Sequence, residues 1–100
     1  MKLTKMQKRF EDVGLMRGDA IFLLSATDAL RFVDECERNG VDILGVEGFK
    51  VFGEKIQPCQ EHSFDLYGEK SNNHAIARNF IQQRLQSDIW FEVGTSEECP

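Results

Sequence analysis

Proline, histidine, tyrosine and tryptophan are nearly missing from this chain: two prolines, two histidines, one tyrosine and one tryptophan in 100 residues. Two histidines leave little material for a metal centre, which needs about four ligands in recognisable pairs. Cysteine is scarce and odd in number, at three. Cys36, Cys59 and Cys99 cannot all pair within one chain, so reduced thiols are expected rather than a disulfide scaffold. No apolar run approaches the roughly 20 residues that span a bilayer. The apolar stretch 21–26 follows Asp19 and is too short for the core of a signal peptide, which points to a cytoplasmic location. Phosphate-binding glycine spacing is also missing. Gly45, Gly48 and Gly53 do not form G-x-G-x-x-G and precede no helix, so they read as turn glycines.

Basic charge is thin and confined to one end. The formal net charge is −5, yet residues 1–18 carry five Lys/Arg against two Asp/Glu, leaving +3. The other 82 carry seven against fifteen, leaving −8. An acidic body disfavours nucleic acid, whose affinity comes mainly from neutralised phosphates, and suits a basic protein partner. Solubility alone is the plainer account of such a charge.

What is present is a one-domain length with globular composition: 41% hydrophobic, 29% charged and eight phenylalanines. Leu3, Met6, Phe10 and Val13 stand at helical spacing, so residues 4–13 read as a short basic amphipathic helix stopped by Gly14. Residues 20–24 are apolar enough for a buried strand. Ser25 or Thr27 then caps a helix that places Ala29, Val33 and Cys36 on one face and ends at Asn39-Gly40. Residues 41–46 and 49–52 read as two strands joined by a tight turn at Glu47-Gly48, and 53–60 as a polar loop. Residues 64–67 read as a strand. Ser71, Asn72 or Asn73 is expected to cap a helix with Ile76, Ala77, Phe80, Ile81 and Leu85 on its apolar stripe and Arg78 exposed. Residues 89–93 alternate as a last strand. This order predicts an α+β two-layer sandwich, ferredoxin-like or a variant of it. Two main helices lie on one face of a mostly antiparallel sheet, with a short N-terminal helix. The expected organisation is a basic arm (1–18), one domain (19–94) and a tail (95–100).

Two groups of residues are candidates for function. Period-2 alternation collects Leu44, Phe52, Asp65, Tyr67, Trp90 and Glu92 on the sheet face without helices. Aromatic residues there suit an interface, unless the N-terminal helix or the 53–60 loop folds over them. The second group, Glu61, His62 and Asp65, has the residue types of acid/base chemistry or metal ligation. Strand alternation separates His62 from Asp65, and no second ligand pair accompanies Cys59 and His62, so neither a metal nor a cofactor is expected. A histidine satisfied by hydrogen bonds at a strand end is the commoner outcome.

The combination Leu44-Gly45-Val46-Glu47-Gly48-Phe49, Ile56-Gln57-Pro58, Glu61-His62-Ser63-Phe64-Asp65 and Trp90-Phe91-Glu92-Val93 resembles a family of small bacterial proteins related to the immunity proteins encoded beside toxins. The resemblance covers residues 20–93 and brings no catalytic or binding residues with it. It implies a small acidic cytosolic protein that works by binding a partner, such as a basic toxin domain. Rival expectations are a small hydrolase or metal-dependent enzyme using Glu61, His62 and Asp65, and a subunit that binds itself as a homodimer. No nucleic-acid or membrane partner is expected.

Overall fold

The computed structural model describes residues 3–18, 21–66 and 71–97. Their order is α1 (Lys5–Lys8), β1 (Leu15–Arg17), β2 (Ile21–Ser25), α2 (Ala26–Arg38), β3 (Ile43–Phe52), β4 (Lys55–Asp65), α3 (Asn73–Gln82) and β5 (Trp90–Thr95). The strands form one five-stranded sheet in the order β1-β2-β5-β3-β4, with every neighbouring pair antiparallel. β2 and β3 therefore run parallel with β5 between them, and β4 and β5 run parallel with β3 between them. Each helical crossover thus spans one inserted strand, and the last strand lies in the middle of the sheet. The fold is an α+β two-layer sandwich. α2 packs on β2, β5 and α3, and α3 packs on β3, so both main helices share one face.

Local chemistry explains the helix boundaries. The Ser25 hydroxyl accepts from Asp28 N–H and donates to the Asp28 carboxylate, capping α2. Gly40, at φ +70°, takes the left-handed conformation just past its end. Ala29, Val33 and Cys36 are fully buried, as the helical spacing predicts. α3 starts differently. Asn72 is its N-cap in a left-handed conformation with no side-chain cap bond. The buried Asn73 instead turns its side-chain oxygen to the Ile43 N–H at 2.8 Å, fastening α3 to the start of β3. Ala77 and Ile81 are buried, while Ile76 and Leu85 of the expected stripe are exposed. Arg78 is only partly exposed, because it reaches α2 to pair with Asp34 at 2.9 Å and Glu37 at 2.6 Å.

The N-terminal helix is a single turn rather than the ten residues expected. A capping box between Thr4 and Gln7 starts it, and irregular turns follow. Leu3, Met6 and Phe10 enter the core beside α2, with Phe10 edge-on to Phe32 at 5.3 Å. The segment covers the helical layer and leaves the opposite sheet face alone.

The largest departure lies between residues 41 and 65. Glu47-Gly48 is not a turn: β3 runs unbroken through it. The turn is Gly53-Glu54, closing the pair Phe52↔Lys55, with Gly53 at φ +62°. A glycine in the first position of a two-residue hairpin loop is favoured because that site needs positive φ. The polar run expected to be a loop is the first half of β4. It is an edge strand, where one side meets water and Pro58 removes no ladder bond that matters.

Strand pairing also shows what covers the helix-free face. Leu15↔Leu23, Ser25↔Trp90, Trp90↔Phe49 and Phe49↔Pro58 place these side chains on that face. Leu23 and Phe49 are buried to 0% and 2% exposure there. β2 and β5 share only the pairs Leu24↔Phe91 and Ser25↔Trp90, so the sheet splays beyond them. Across this gap the Arg17 Nε donates to the Gly53 carbonyl at 2.9 Å. In a flat sheet β1 and β3 stand three strand spacings apart, roughly 14 Å, so this bond requires the sheet and its hairpin tip to curl toward each other. One end of the helix-free face is sealed in this way. The other end is open.

Candidate functional site: an acidic groove on the helix-free face

The open end is a groove of about 730 Å³. Its residues come from the three strands β3, β4 and β5. Gly45↔Asp65 and Gly45↔Gly94 set a floor of bare backbone at its centre. A bulge in β3 between Ile43 and Gly45 turns Leu44 to the rim, where it is 44% exposed. Pro58 and Gln60 close the β4 side. Among the described residues three carboxylates line the groove, Glu47, Asp65 and Glu92, and no lysine or arginine does. Glu47 and Glu92 are cross-strand partners, a like-charge arrangement that disfavours both being ionised. Burial, and after it the Glu47 carboxylate, holds Glu92 above the ordinary glutamate range.

The wall beside Gln60 is built by an irregularity in β4. Val46 pairs with Phe64 and Gly48 with Cys59, so two residues of advance on β3 match five on β4. The extra residues bulge out. The Ser63 hydroxyl spans the bulge, accepting from Gly48 N–H at 3.0 Å and donating to the Cys59 carbonyl at 2.8 Å. Gly48 is obligatory here, because a Cβ would lie 2.6 Å from the His62 carbonyl oxygen and 2.7 Å from its Cβ.

His62, at the bulge, does not face the groove. Its Nδ1 accepts from Arg84 Nε at 2.9 Å. Arg84 also donates to the Glu61 and Phe80 carbonyls and lies 3.6 Å over the Phe80 ring. Phe80 in turn packs on Phe64 at 4.4 Å. His62 is thus tied to the helical layer, Glu61 is mostly solvated, and Asp65 belongs to the groove on the other face. The three residues considered for acid/base chemistry do not converge. No group of three or more His, Cys, Asp or Glu among the described residues is placed to hold a metal ion.

Neither comparison identifies it. No protein-family model matches the chain, and a comparison with curated proteins finds no match. Among the described residues no helix is long and apolar enough to cross a membrane.

Of the residues expected to share the helix-free face, Leu44, Asp65 and Glu92 come together in the groove. Trp90 lies on the same face but half-buried at the sealed end, against Phe49. Phe52 does not join them. Its partner is Lys55, its parity is opposite to Phe49, and it stands 60% exposed at the hairpin tip. Period-2 counting from Leu44 puts Phe52 on its face, eight residues on, but the bulge between Ile43 and Gly45 turns Leu44 out of that parity, and no turn at Glu47-Gly48 restores it. Tyr67 lies outside the described residues. Glu47, central to the groove, falls in the turn expected at Glu47-Gly48; its alternation with Phe49 along an unbroken strand is the sequence signal for its place.

Proposed function

We propose that the protein is a cytoplasmic binding module that holds a basic segment of another protein in the acidic groove, in the manner of an immunity-type inhibitor of a toxin. The observation that carries this reading is the lining itself: among the described residues, three carboxylates and no lysine or arginine, above a floor of glycine backbone. Charge complementarity accelerates encounter and fixes register, while exposed Leu44 offers an apolar anchor at the rim. The enzyme reading is weaker, because His62 spends its acceptor nitrogen on Arg84. Self-association through the β4 edge is opposed by Pro58, Lys55 and the bulge, devices that blunt an exposed edge.

The test is co-expression with a toxin encoded beside its gene, and a gene neighbourhood without one would count against the reading. The wild-type chain should restore growth, and Glu47→Lys and Glu92→Lys should each abolish rescue while leaving the far-ultraviolet circular dichroism unchanged. Rescue that survives both charge reversals would overturn the groove as the binding surface. Sedimentation of the protein alone separates this from a second copy as occupant, since a monomer at tens of micromolar is expected.

A further inference from the structure

We propose that the His62–Arg84 contact is a proton-sensitive clasp that fastens the β4 bulge, and with it one wall of the acidic groove, to the helical layer. The part concerning the groove rests on the binding reading above. The clasp itself stands on geometry alone. A histidine nitrogen that accepts a hydrogen bond carries no proton, so the 2.9 Å bond from Arg84 Nε to His62 Nδ1 requires the neutral ring with its hydrogen on Nε2. When solvent delivers a proton to Nδ1, that nitrogen becomes a donor. Two donors, both cationic, then face each other, and the bond is lost.

The groups around the ring define what happens next. From the segment after α3 comes the Arg84 guanidinium. From β4 comes the Glu61 carboxylate, with Oε1 3.9 Å from Nε2, 79% exposed and well screened. β3 brings Gly48, which has no side chain, and α3 brings the uncharged Phe80. Arg84 keeps the Phe80 carbonyl and ring after the clasp opens, so the guanidinium stays where it is, and of its two bonds to the bulge only the one to the Glu61 carbonyl, at 3.2 Å, is left. Gln60 and Ser63, on either side of the released residues, both line the groove. The wall therefore loosens as the ring gains its proton.

The experiment is nuclear magnetic resonance on the whole chain without a partner, from pH 7.5 to 5, either side of about pH 6.5 where free imidazole titrates. Two signals are followed: the nitrogen shift of His62 Nδ1 and the solvent exchange of the Arg84 Nε–H. Exchange should speed roughly tenfold beyond its intrinsic pH dependence, the scale of losing one hydrogen bond that involves a charged group. Its midpoint should coincide with that of the ring nitrogen. His62→Gln, whose side-chain oxygen accepts without titrating, should abolish the pH response. A ring that gains its proton while Arg84 Nε–H exchange stays at its intrinsic dependence would overturn the clasp. So would His62→Gln loosening with acid as the wild type does. If that variant does not fold, the coincidence of the two wild-type midpoints decides. Neither readout involves a partner, so failure of the clasp and failure of the groove reading are separate results.

Discussion

Two residues around the β4 bulge carry consequences that single substitutions expose. Gly48→Ala forces a methyl against the His62 backbone, and backbone cannot rotate away as a side chain does. We expect a loss of about 2–3 kcal/mol by urea denaturation. Ser63→Ala removes both the acceptor for Gly48 N–H and the donor to Cys59 O, with an expected loss of about 1–2 kcal/mol. Glu92 acts in the opposite sense. Its folded-state affinity for a proton exceeds that of the unfolded chain, so the folded protein binds more protons in the window just above the ordinary glutamate range. Stability from this group rises as pH falls through that window, and is lacking at neutral pH. Glu92→Gln should therefore stabilise the protein at pH 7 by about 0.5–1 kcal/mol and flatten the pH profile there. Urea midpoints at pH 7 and pH 5 check both; a variant less stable than wild type at pH 7 would refute the like-charge account. Cys36, by contrast, is inert. Burial first, then the Glu97 and Glu35 carboxylates, push its thiol up to about 12.

At the scale of elements, what was legible in the sequence depended on whether one face of the element meets a uniform environment. α2 does: its 3.6-residue period and its Ser25 cap read directly, and the structure keeps both. β3 and β4 do not. β3 is packed on helices at Val46, opposes carboxylates at Glu47 and abuts the bulge at Gly48, so no simple alternation runs along it. A glycine demanded by a neighbour's backbone looks, in one dimension, like a glycine demanded by a turn. β4 is polar because its outer side meets water, and Ser63, which organises the bulge, is an ordinary serine until Cys59 and Gly48 are seen beside it. β1 was not foreseen, since three residues are too few to show a period. Yet β1 supplies Arg17, and its bond to Gly53 holds the curl over Leu23 and Phe49. Arg17→Ala should lower stability by about 1 kcal/mol. It should also raise amide exchange selectively in the 51–56 hairpin tip; uniform acceleration across the sheet would mean the curl does not depend on this bond.

For the molecule as a whole, the α+β two-layer arrangement followed from the order of apolar segments, whereas the place of each strand in the sheet did not. Strand order is decided by which edges remain open once the helices are laid down, and no local pattern records that. The single core also makes a prediction for the thiols. The Cys36 thiol stays protonated in the folded state well above the pH at which an unfolded cysteine ionises. Stability from it is present below that pH and is lost as pH rises towards about 12. A thiol reagent at pH 8 should label Cys36 only at the rate of global unfolding, following urea dependence with the full equilibrium slope. Labelling that ignores urea would indicate a local opening of α2.

β5 is made last of the strands yet sits between β2 and β3. On a ribosome, α2 and the β3–β4 hairpin, complete by Asp65, can form as soon as they emerge, but the cleft between β2 and β3 has no occupant until residue 95 has cleared the exit tunnel. Until then Leu24, Val46 and Phe49 lack the β5 residues that pair beside them. The sheet therefore closes in one late step rather than growing from its first strand.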